Sequence, residues 1–80
     1  MSMVYRELGK TGMLLSEIGL GCEGFVDADD RLSDELFALA LSRGVNCMDL
    51  YSPDPAAHRR IGRAIAPVRD RFYLQAHFCT

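Results

Sequence analysis

Eighty residues with 49% apolar and 25% charged positions make a globular composition with room for one domain and none for a second. Nine Lys and Arg against eleven Asp and Glu leave a net charge of -2, which offers no attraction to phosphate backbones or anionic lipid, so neither nucleic acid nor a membrane surface is expected as a partner. No apolar run approaches the roughly 20 residues that cross a bilayer, and the N-terminus lacks the basic-then-apolar pattern of a secretory signal, so the expected location is cytoplasmic.

Residues 4–8 and 13–16 read as two short extended runs around the glycine-bounded turn Gly9-Lys10-Thr11-Gly12, a hairpin signal. Residues 17–21 form a brief apolar strand whose glycines let another backbone or a ligand come close. Leu32, Leu36, Leu39 and Ala40 then recur at helical spacing, with Asp29 or Asp30 placed to cap the first turn, so a helix is predicted over residues 31–43. Gly44 follows as the left-handed stop. Residues 45–49 read as the next strand, and Asp54-Pro55 has the form of an N-cap and first position of a second helix over residues 55–66. The apolar stripe there is Ile61, Ala64 and Ile65, with Arg59 and Arg63 on the wet side and Pro67 ending the helix. Residues 71–78, rich in aromatic and apolar side chains, read as a final strand.

Strands alternating with helices of this length predict an α/β chain with right-handed crossovers and a parallel sheet. Two helices after three strands leave sheet face and edge uncovered, so the expectation is a piece of a larger domain. The cysteines Cys22, Cys47 and Cys79 are odd in number and contain no C-x-x-C pair. They are expected as reduced, partly buried thiols, with no structural metal site.

Functional groups of a parallel sheet gather at the carboxyl ends of its strands. That selects Gly21-Cys22-Glu23-Gly24, then Asp49-Leu50-Tyr51, then His77. Asp49 closes an apolar strand, where a carboxylate is paired, hydrated or functional, or else caps the loop backbone. Tyr51 offers a phenol that can donate a proton, and His77 an imidazole that can supply a proton or a hydrogen bond. His58, beside Arg59 and Arg60, reads as part of a solvated helix face, and the acidic cluster Asp27, Asp29, Asp30, Asp34 and Glu35 as a solvated helix start. Gly19-x-Gly21-x-x-Gly24 matches a dinucleotide fingerprint by letter, but the helix begins about seven residues too late for the Rossmann arrangement.

Four separated blocks resemble the N-terminal part of aldo-keto reductases: Tyr5-Arg6-x-Leu8-Gly9-Lys10-Thr11-Gly12, then Ser16-Glu17-Ile18-Gly19-Leu20-Gly21-Cys22, then Gly44-Val45-Asn46 with Asp49, then Ile61-Gly62-Arg63-Ala64-Ile65. The resemblance implies that residues 1–80 are a partial domain: the hairpin and the strand-helix-strand-helix-strand opening of a (β/α)8 TIM barrel, with the remainder of the barrel as its expected partner. It implies an oxidoreductase that moves a hydride between NADPH, or NADH, and a small carbonyl or alcohol, the 80 residues being inactive alone. Asp49 matches the family's catalytic aspartate, and Gly21, Cys22, Glu23 and Asp49 would lie beside the cofactor. Where the family has its tyrosine this sequence has Asp54, Tyr51 coming earlier, and where it has a lysine stands His77. Tyr51 or His77 would then serve as the acid, with Asp49 fixing its ionisation. Asp49-Leu50-Tyr51-Ser52-Pro53-Asp54-Pro55 with Gln75-Ala76-His77-Phe78-Cys79 resembles a divergent branch, some of whose members carry an iron-sulfur cluster in a C-terminal domain outside these residues. The alternative is a reductase-like scaffold that binds nicotinamide or a protein partner without turnover.

Overall fold

Local chemistry shapes the first sixteen residues. The Leu8 amide donates to the Met13 carbonyl at 2.9 Å, the Thr11 hydroxyl to the Leu8 carbonyl at 2.6 Å, and the Gly12 amide to the Glu7 carboxylate at 2.9 Å. These bonds close a hairpin between β1 (Tyr5–Glu7) and β2 (Leu14–Ser16), antiparallel with Tyr5 opposite Ser16. The structure, a computed structural model, describes residues 2–22, 25, 28–51 and 54–77.

Three further strands, β3 (Leu20–Gly21), β4 (Cys47–Leu50) and β5 (Tyr73–Ala76), form a parallel sheet in the order β3-β4-β5. Helix α1 (Asp30–Ser42) connects β3 to β4, and α2 (Pro55–Ile65) leads toward β5. The alternation agrees with the α/β reading. The first parallel strand is shorter than predicted, pairing only at Leu20 and Gly21, and the last begins two residues later than predicted. Between Ile65 and β5 the chain continues to turn as a 3₁₀ helix, Ala66–Arg71. Pro67 stops the α-helix as expected, but a proline in a first turn has no amide to lose and allows the tighter coil.

Both helices start where an aspartate can accept a free amide. Asp29 accepts from Leu32 at 2.8 Å, and Asp54 accepts from Ala56 at 3.0 Å, with Pro55 in the first position. Helix α1 ends in a Schellman arrangement: the Val45 amide reaches the Ala40 carbonyl and the Gly44 amide the Leu41 carbonyl, both at 3.0 Å. This needs Gly44 at φ +89, a conformation that strains any residue with a Cβ.

The core lies between the sheet and the two helices. Cys22, Phe25, Phe37, Met48, Ile61, Ile65 and Phe72 form it, and the Phe37 ring sits 5.3 Å from Phe25 and 5.6 Å from Phe72. Helix α2 buries Ile61 and Ile65 of its predicted stripe, with Ala64 half-buried beside them and Ala57 buried in addition. Helix α1 departs from the reading. It buries Ser33 and Phe37, whereas Leu32 and Leu39 are 45% and 54% exposed. Residues 36–41 are apolar without a polar break, so periodicity alone does not fix which side faces inward, and the small Ser33 disguises the true contact line.

The hairpin is tied to the N-terminal side of β4. The Tyr5 hydroxyl donates to the Gly44 carbonyl at 2.6 Å. Asn46 accepts from the Ser16 amide and donates to the Leu14 carbonyl, both at 2.9 Å. A Cβ on Gly44 would come within 2.9 Å of the Tyr5 hydroxyl and 3.0 Å of the Met3 Cβ. Gly44→Ala therefore combines left-handed strain with a clash at the hairpin dock, and should cost about 2 kcal/mol, read in a thermal melt as a fall on the order of 10 °C. A melt unchanged within error would mean that the hairpin does not rest on this turn.

Candidate active site

Side chains alternate across a strand, and the core identifies which face of the sheet meets the helices. Met48 is buried in the core and Leu50 packs against it, which sends Cys47 and Asp49 to the opposite face. Leu74 likewise packs on the helix side, and Tyr73 and Gln75 line the other. Between this face and the hairpin lies an apolar cavity of about 620 Å³, walled by Leu8, Met13 and Leu15 and reaching Asp49 and Gln75.

Parallel register then assembles the site. Gly21 is opposite Asp49, and Asp49 is opposite Gln75, so the three strands end together. The Asp49 carboxylate is hydrogen-bonded to Nε2 of His77. The Tyr51 and His77 rings meet edge-on, with centroids 4.8 Å apart and planes at 78°. Three residues singled out separately in the sequence thus form one contiguous group. Asp49 is paired, and its side chain is 54% exposed against 27% for His77, so both remain open to solvent. Its partner among the described residues is an imidazole and not the loop main chain.

Gly21 lines the cavity beside Asp49, and a Cβ built on it meets no atom within 4 Å. The strand exit is therefore open to close approach. The Cys22 side chain is turned the other way, 1% exposed in the core, leaving only its main chain to a ligand. Its Sγ accepts from the Tyr51 amide and donates to the Tyr51 carbonyl, both at 2.9 Å. Glu23, Gly24, Asp27 and Cys79 lie outside the described residues.

Other candidates have structural partners. Asp30 and Asp34 face Arg63 of α2, the closest approach being 2.8 Å between Asp34 and Arg63, and Glu35 pairs with Arg31. His58 is exposed on α2. Cys22 and Cys47 are both free thiols, and no group of three His, Cys, Asp or Glu suited to a metal occurs among the described residues. No helix among them is long and apolar enough to cross a membrane.

Sequence reasoning missed Gln75, the thiol bracket on Tyr51 and the hairpin's share of the cavity wall. Period-two alternation through residues 73–77 was the available signal for Gln75, because it places Tyr73, Gln75 and His77 on one face. Chemically, the bond to Asp49 occupies one ring nitrogen of His77. Nδ1 of His77 and the hydroxyl of Tyr51 have no hydrogen-bond partner among the described residues, and either group can pass a proton to a ligand at the strand ends.

No family model matches the sequence, and no curated protein matches it. Among solved structures, two described as a "putative aldo-keto reductase" from Pseudomonas aeruginosa superpose with a TM-score of 0.80 at 31% identity over 90% of this chain. The chain spans 30% of one of these structures and 29% of the other. The resemblance carried by the four sequence blocks is thus also a resemblance in three dimensions, and it implies that the hairpin, parallel strands and helices are a piece of a TIM barrel.

Proposed function

We propose that residues 1–80 form the opening part of an aldo-keto reductase barrel, and that the complete barrel transfers a hydride between NADP(H) and a small carbonyl or alcohol. The observation that carries this reading is the grouping of Asp49, Tyr51 and His77 at the carboxyl ends of parallel strands. Bound NADP(H) would supply the hydride. The open strand exit at Gly21 suits its close approach, and Gly21, the main chain of Cys22, Glu23 and Asp49 would hold it.

The chain's own residues supply the proton. Asp49 accepts the Nε2 hydrogen of His77, which holds the imidazole in one orientation and leaves Nδ1 to face other partners. A proton passes to the carbonyl oxygen from Nδ1 of His77 when the ring is the imidazolium, both nitrogens then carrying hydrogen, or from the Tyr51 hydroxyl. Both groups lie at an exposed edge, so water can return the proton afterwards. His77 thus stands in the lysine's place as Asp49's partner, and the edge-on ring contact brings a phenol to the same spot.

A non-catalytic scaffold is the second reading. It is favoured by Asp54, which occupies the family's tyrosine position and is committed to capping α2. The two readings separate in the protein at its natural full length, tested with NADPH and a panel of aldehydes and ketones. Turnover is expected, and of the variants Tyr51→Phe and His77→Gln, the one that removes the donor should lose about 10²-fold or more in kcat. Tight NADPH binding without turnover would establish the scaffold instead.

A further inference from the structure

We infer that Cys22 is a positioning residue for Tyr51, an assignment that rests on the proposed role of Tyr51 beside His77. The pairing of β4 with β5 ends at Leu50 and Ala76, so Tyr51 is the first residue beyond the ladder. Past that point, among the described residues, one atom holds the main chain: Sγ of Cys22 takes the Tyr51 amide and gives its own hydrogen to the Tyr51 carbonyl, both at 2.9 Å. The peptide groups on both sides of the Tyr51 Cα are thereby clamped to a thiol that is itself buried, 1% exposed and packed with Phe25 and Met48.

Among the described residues, little else orients the Tyr51 side chain. It is 43% exposed, and its ring contact is with His77. A thiol fits the task because a single small atom both donates and accepts, which a hydroxyl also does and a methyl or isopropyl group does not. The clamp acts on Tyr51 from the core side, so Cys22 influences the site without touching any ligand through its side chain.

The test compares wild type with Cys22→Ser, Cys22→Ala and Cys22→Val in the protein at its natural full length. Three measurements are made: hydrogen exchange of the Tyr51 amide, the nuclear Overhauser contact between the Tyr51 and His77 rings, and kcat and KM with NADPH and an aldehyde. In wild type the Tyr51 amide should be protected although it lies outside the strand ladder. Alanine and valine should lose about ten-fold in protection and in kcat, weaken the ring contact, and leave KM within about two-fold; serine should retain all three. If the alanine variant fails to fold, the volume-conserving valine variant and the wild-type exchange rate decide. A Tyr51 amide that exchanges like an open loop, or an unchanged ring contact in Cys22→Val, would overturn the assignment. Absence of turnover in wild type would instead overturn the reductase reading, and the exchange and ring-contact measurements would still judge Cys22.

Discussion

On the proposed reductase reading, Asp49→Asn is expected to lower carbonyl reduction by about 10²-fold, because it removes the charged group bonded to His77 among the described residues. Asparagine keeps the shape and one acceptor oxygen, so the imidazole can still be met. What disappears is the charge-assisted bond, roughly twice as strong as a neutral one, and with it the discrimination between ring orientations, since a carboxamide can also turn its NH₂ group toward the nitrogen. The Asp49 side chain is 54% exposed and contributes nothing to the core, so stability should change by less than about 0.5 kcal/mol. Steady-state kinetics beside a thermal melt separates the two effects. Unchanged turnover would remove Asp49 from the proton-transfer group.

Phe37→Ala should have the opposite signature, a loss of folding. Phe37 is 2% exposed and its ring lies between Phe25 and Phe72, so it joins α1 to the loop after β3 and to the entry of β5 at one point. Truncating such a side chain costs about 3–5 kcal/mol in lost burial and residual cavity. That is a large share of the roughly 5–15 kcal/mol that a folded domain has in total. Denaturant titration should show a midpoint shifted far down or a transition that is no longer cooperative. Phe37→Leu, which refills most of the volume, should recover the greater part of the loss, and an alanine variant as stable as wild type would relocate the centre of the core.

The parts of the fold that could be read from the sequence are those decided by neighbours in the chain. Asp29, the Asp54-Pro55 pair and Gly44 mark helix ends because capping is satisfied within a few residues, and each does so in the structure. The phase of α1 depended on a surface elsewhere. Leu32 and Leu39 are as apolar as Phe37, and only the position of Phe25 and Phe72 determines which side turns inward. The site shows the same division. Asp49, Tyr51 and His77 were each selected by their place at a strand end, but their contact requires the register that sets Asp49 against Gln75. The Cys22 bracket was hidden because a buried thiol reads as a small hydrophobe until the neighbouring strand is in place.

The tie between Asn46 and Ser16 has a consequence for the order of assembly. The hairpin precedes β4 in the chain, yet its anchor is an asparagine 30 residues further along, presented only after the glycine stop of α1 and the start of β4 have formed. The hairpin thus leaves the ribosome before its anchor exists, and until then Leu8, Met13 and Leu15 have no cavity to wall. A nascent chain paused short of Asn46 would present those three apolar side chains to chaperones.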